Sequence, residues 1–152
     1  MISWLAKRIL SYNMAKLRAG DYRPLLRGDA KDVHFRFPGN SSFAADLHGK
    51  DALEPWLQRF VALGLQIYPD EVMVKGPPWR STICVRGTVF LDNQDGRVYD
   101  NRYVIWGRMA WGLVREYEVY EDTQKSAELD RYLAARERPE PPSGSGDVET
   151  DR

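Results

Sequence analysis

Two histidines, one cysteine and a few charges on extended segments are the groups from which this sequence could build chemistry. His34 and His48 do not fall in an H-x-x-x-H or H-x-E spacing, and Cys84 stands alone. Zinc needs imidazole, thiolate and carboxylate ligands at compatible spacing, so no metal site is expected. Asp92, Asn93 and Asp95 before Gly96 superficially resemble a calcium loop. The full run of ligand positions is missing, and a hairpin turn accounts for them. There is no Gly-rich phosphate loop, no nucleophile elbow around a serine and no C-x-x-C pair, and no cofactor is expected. What remains is Arg86 with the carboxylates Glu118 and Glu121, and the phenol of Tyr117. A buried arginine has to be paired. Arg86 is expected either to pair with Glu121 or Glu118, or to meet an anionic ligand. In a pair it would hold the carboxylate ionised, as a general base requires. Tyr117 reads either as a wall residue with a satisfied hydroxyl or as a general acid.

The frame that would position these groups is small. The chain has 152 residues, 43% of them hydrophobic, which suits one core in one domain. The 22 basic and 22 acidic residues cancel, so there is no general attraction to nucleic acid or to an anionic membrane. A single cysteine excludes an intrachain disulfide framework and points to a reducing, cytoplasmic location. The apolar run at the N-terminus is short and broken by Lys7 and Arg8, unlike a signal peptide. No stretch is long enough for a membrane helix. From Glu137 to Arg152 the chain is rich in Pro, Gly, Ser and acids, and a disordered tail after a 1–136 domain is expected.

Periodicity gives the elements. Residues 2–19 read as an amphipathic helix with Ile2, Leu5, Ile9, Asn13 and Leu17 on one face, ended by Gly20. A short helix follows, with Pro24 in its first turn. Val33, Phe35 and Phe37 alternate with His34 and Arg36, the pattern of a strand stopped by Pro38-Gly39. The next helix is expected to start at an Asp51 N-cap, with Pro55 in its first turn, a Trp56, Phe60, Leu63 stripe and a stop at Gly64. Strands are then expected over 72–75, 81–91, 98–109 and 113–121, joined by turns at 93–96 and 110–112. Asp122-Thr123 caps a last helix carrying Ala127, Leu129, Tyr132 and Leu133. Helices first and long antiparallel strands after them argue for an α+β fold, with helices over one face of a bent sheet. Such a cone encloses an apolar cavity.

This order resembles the NTF2-like superfamily, and within it the SnoaL-like branch of polyketide cyclases, ketosteroid isomerase and limonene epoxide hydrolase. The resemblance runs over about residues 2–135. It rests on Phe35-Arg36-Phe37-Pro38-Gly39, Tyr99-Asp100-Asn101-Arg102 and Glu118-Val119-Tyr120-Glu121-Asp122-Thr123. It implies a strongly curved sheet closed by helices, and a small-molecule pocket inside. The steroid isomerases use a carboxylate base just before the proline that ends the first strand; here that position is Phe37. Their oxyanion donors, a tyrosine and a protonated aspartic acid, match Asn13 and Asn101. The arginine and two aspartates of the epoxide hydrolases match Arg86, Thr88 and Val119. The resemblance thus carries over an arginine and two amides but no familiar base.

By the same resemblance and by strand alternation, Asn101, Tyr103 and Ile105 face the pocket, as do Tyr117, Val119 and Glu121. Cys84, Arg86, Thr88 and Phe90 share a face of their strand. Phe35, Phe37 and Trp56 complete an aromatic wall, with Asn13, Asn101, Arg86 and Tyr117 as its polar points. Asn13 and Asn101 are read equally as ligand contacts or as backbone clamps. Two functions compete: binding of a small apolar molecule, with isomerisation, cyclisation or hydration as the chemistry, or a non-catalytic binding or assembly module. The sheet is apolar on both faces, with Val104 and Trp106 opposite Tyr103 and Ile105, and a homodimer through its outer face is expected. Trp79 is left between the cavity mouth and a dimer interface.

Overall fold

The structure is a computed structural model that describes residues 2–137. The expected tail therefore lies outside the described residues except for Glu137. Helix α1 spans Ile2–Arg18 and α2 Arg23–Arg27. Strands β1 (Asp29–Phe37) and β2 (Ala45–His48) precede helix α3 (Lys50–Ala62). Strands β3 (Gln66–Lys75), β4 (Ser81–Asn93), β5 (Gly96–Ala110) and β6 (Leu113–Glu121) follow, and helix α4 (Thr123–Arg136) ends the fold. The six strands form one open mixed sheet in the order β2-β1-β6-β5-β4-β3. Only β1 and β6 run parallel among its neighbouring pairs. The result is an α+β cone. No helix among the described residues is long and apolar enough to cross a membrane.

Several starts and faces differ from expectation, each for a local reason. Helix α3 begins at Lys50 after Gly49, whose φ of 88° turns the chain, and no side chain caps it. Asp51 therefore lies within the first turn and Pro55 inside the helix. Glu54 instead accepts a hydrogen bond from the Tyr22 hydroxyl at 2.8 Å. The final helix is capped as the sequence implies: the Asp122 carboxylate accepts from the Gln124 and Lys125 N–H groups. Helix α1 is apolar on two sides. Its Met14 and Leu17 are buried while Leu5 and Ile9 are exposed, so the inward face is turned away from the expected stripe.

Curvature comes from two glycines in strand interiors. Gly87 on β4 lies directly opposite Tyr103 on β5, and Gly107 on β5 opposite Tyr117 on β6. A Cβ on Gly87 would sit 2.1 Å from the Tyr68 carbonyl oxygen and 2.4 Å from the Tyr103 hydroxyl. One on Gly107 would come within 2.8 Å of the Glu116 carbonyl oxygen. A missing side chain on one strand lets the sheet bend and leaves room for the ring on the next.

Helix α1 closes the open edge along β3. Ser3 Oγ donates to the Val74 carbonyl and accepts from its N–H, and Arg18 donates to the Ile67 carbonyl at 2.7 Å. These bonds occupy backbone groups that an edge strand would otherwise present to other chains.

Candidate functional site

The concave face of the sheet and helices α1, α2 and α3 enclose a cavity of about 120 Å³. Its wall is almost entirely carbon. Phe35 packs on Trp56 and on Tyr117, with ring centroids 4.7 and 4.9 Å apart, and Trp56 stacks on Phe60 at 5.7 Å. Trp56 also donates its indole N–H to the Phe43 carbonyl at 3.0 Å, which fixes the ring that faces the cavity. Phe37, Tyr103, Ile105, Val119 and Glu121 complete much of the wall.

Strand alternation explains the placement on β5 and β6. Tyr103 and Ile105 point inward from β5, and Tyr117, Val119 and Glu121 from β6. On β4 the inward face is the opposite of the one expected. Ile83, Val85 and Val89 line the cavity, while Arg86 lies on the outer face with its side chain 57% exposed. Arg86 therefore pairs with Glu71 on β3 at 3.1 Å, not with Glu118 or Glu121. Glu118 is taken by Arg36 and by the Tyr120 hydroxyl. The alternation Arg86, Thr88 against Val85, Val89 carried this signal.

The two amides are also not cavity groups. Asn13 is half-buried on the flank of α1 next to Leu17, and the helix lines the cavity with Leu10, Met14 and Leu17 instead. Asn101 is buried but serves as a clamp. It donates to the Tyr99 hydroxyl at 3.1 Å and to the Asp122 carbonyl at 2.9 Å, and accepts from the Asp122 N–H at 3.3 Å. It thereby ties β5 to the junction between β6 and α4. Trp79 packs against Trp111 at 6.2 Å; both are exposed at the strand turns, away from the cavity wall.

Besides Glu121, the cavity is lined by a second acid, Asp29, which sequence reading missed. It opens β1, where the ladder to β6 is irregular between Asp29 and His34. Asp29 and Ala30 are both buried there, and Asp29 is only 3% exposed. Its Oδ2 has no hydrogen-bond partner. Burial pushes its carboxyl up to about 7, against a weaker downward pull from Lys50. The hydroxyls of Tyr117 and Tyr103 are also buried without a partner. Burial drives the Tyr117 phenol well above its ordinary range, and the Asp29 charge adds to this. At the other end of β6, burial raises Glu121, while hydrogen bonds from Ser126 and Tyr99 oppose the rise.

A carboxyl that titrates near neutrality, inside an apolar cavity and beside an unpaired phenol, can donate or accept a proton from a bound molecule. A separate group on the convex side, His34, Asp46 and His48, has the donor atoms to hold a metal ion. Sequence spacing did not join these residues; the pairing of β1 with β2 does.

No family model matches the sequence, and no curated protein matches it. Solved structures do. An NTF2-like protein of unknown function from Burkholderia pseudomallei K96243 is 20% identical, with a TM-score of 0.64, over 82% of this chain and 93% of that one. TerC, co-crystallised with polyporic acid, is 23% identical with a TM-score of 0.66, over 81% and 95% of the two chains. PrhC from Penicillium brasilianum NBRC 6234 is 14% identical with a TM-score of 0.67, over 85% and 87%. At these identities the likeness is one of backbone architecture. In this chain helices cover an open six-stranded sheet and an apolar cavity, and by its likeness to these structures this protein has the NTF2-like fold.

Proposed function

We propose that the cone binds a compact, mostly apolar small molecule carrying one oxygen that exchanges a hydrogen bond with Asp29 or Tyr117. The observation that carries this reading is that Asp29 Oδ2 and the Tyr117 hydroxyl, like the Tyr103 hydroxyl, are buried without a partner on residues that line a mostly carbon wall. Leaving such atoms unpaired is costly, on the order of 1–3 kcal/mol each, and a ligand oxygen relieves it. The cavity is slightly smaller than the roughly 150 Å³ engineered void that holds benzene, which sets the ligand portion inside it at about one ring. TerC was crystallised with polyporic acid, which supports reading the cone as a small-molecule site.

The chemistry we assign to the site is proton transfer. Protonated, Asp29 donates to a carbonyl or hydroxyl oxygen; ionised, it takes a proton from the bound molecule. Isomerisation, cyclisation and hydration all proceed through such transfers. Phenol and toluene, equal in ring size, separate the polar contribution from the apolar one. Followed by amide NMR shifts, phenol is expected to bind several-fold tighter than toluene, and Asp29→Asn together with Tyr117→Phe to remove the difference. Equal binding of both probes by the unsubstituted protein, or no binding of either, would overturn the reading.

A second reading, assembly without chemistry, is favoured by the convex face of the sheet. Met73, Val104 and Tyr120 are exposed there among the ion pairs Arg86–Glu71, Arg102–Asp70 and Arg108–Glu116. We propose that this face pairs with a second copy of the chain. The two readings are compatible, since the cavity is lined by the opposite face of the sheet.

A further inference from the structure

We propose that His34, Asp46 and His48 form a binding site for a zinc-type divalent cation on the convex side of the sheet edge. The antiparallel pairing of β1 and β2 puts His34 directly opposite His48. Asp46 is two residues before His48, so its side chain leaves the same face of β2. The two imidazoles stack, with centroids 4.1 Å apart and planes at 19°. Both Nε2 atoms converge on one carboxylate oxygen, Asp46 Oδ1, at 2.6 Å from His34 and 3.4 Å from His48. One donor atom from each residue lies within 4.8 Å of the others. Donors bound tetrahedrally to zinc at ordinary bond lengths stand roughly 3.3 Å apart, so small side-chain rotations close this set around an ion.

The neighbours allow a cation. Arg36 stands opposite Asp46 in the β1–β2 pairing, and its guanidinium is directed to Glu118. Glu116 lies opposite His34 on β6 and is held by Arg108 at 3.3 Å, which leaves a further carboxylate close by. Two imidazoles with one carboxylate favour zinc, nickel or copper over magnesium and calcium, which prefer all-oxygen shells. His48 is exposed, so an ion enters from water and a coordination position stays open. A bound ion would fasten the short edge strand β2 to β1, whose other face carries Phe35 and Phe37. The site is independent of what occupies the cone.

The test is zinc titration of the untagged full chain, read by competition with a chromophoric chelator and by thermal shift. One zinc per chain at micromolar affinity is expected, with a rise in Tm. His34→Ala and His48→Ala should each weaken binding at least about tenfold and remove the rise, with magnesium inert throughout. Circular dichroism and metal-free Tm establish that the variants are folded. Affinity weaker than about millimolar, or zinc binding unchanged in both histidine variants, would overturn the proposal.

Discussion

Asp29 is held in an unfavourable place by the residues around it, and this has a thermodynamic signature. Its carboxyl titrates near 7 in the fold against an ordinary value of 3.8. The folded state therefore keeps a proton that the unfolded chain releases between these values. Stability contributed by this group is fully present below about pH 4 and falls as pH rises to about 7, by at most about 4 kcal/mol. Asp29→Asn is expected to flatten this limb of the urea-denaturation profile and to be more stable than the unsubstituted protein at pH 8. Arg86→Ala should behave in the opposite sense of a buried pair: its partner Glu71 is exposed, so a loss below about 1 kcal/mol is expected, with phenol binding unchanged. These two residues also mark what the sequence could convey. Tyr117, Val119 and Glu121 were legible on the cavity wall because β6 alternates without interruption. Asp29 was not, because Asp29-Ala30-Lys31-Asp32 looks like a polar turn, and only the irregular β1–β6 pairing buries its first two residues.

At the scale of elements, order and hairpins were readable, whereas the faces of two elements were not. Glycines at the turns and the Asp122 cap have local causes that a sequence displays. The inward face of α1 does not, because Leu5 and Ile9 compete with Leu10 and Met14 in the apolar pattern, and tertiary packing decides between them. The same ambiguity, apolar residues on both faces, reversed β4. Strand β2 is only four residues long and pairs through β1, so its signal is too short to detect alone. Two element-level predictions follow from contacts that are visible only in three dimensions. Gly87→Ala forces a methyl group against the Tyr68 carbonyl and the Tyr103 ring, and should cost about 2–3 kcal/mol in chemical denaturation. Asn101→Ala removes one partner each from the Tyr99 hydroxyl and the Asp122 carbonyl and takes away the acceptor of the Asp122 N–H, and should cost about 1–3 kcal/mol without altering the cavity wall.

For the whole molecule, the open sheet defines a concave face that shelters a cavity and a convex face that carries charges with apolar residues among them. The convex face should bring two copies together, and light scattering at micromolar concentration is expected to give the mass of a dimer; Val104→Asp with Met73→Asp should give a monomer. The concave face depends on helices α1, α2 and α3 packing over the sheet, because the cavity they cover is lined by the buried Asp29. The carboxyl's titration therefore reports the whole architecture and its capacity for proton transfer at once. Carbon-13 NMR of aspartate carboxyls in the intact chain, with Asp29→Asn identifying the resonance, measures it directly. A midpoint of about 7 is expected. A midpoint near the ordinary 3.8 would mean a solvated, ionised Asp29, and would contradict the reading of the cone as a dry site with a proton to give.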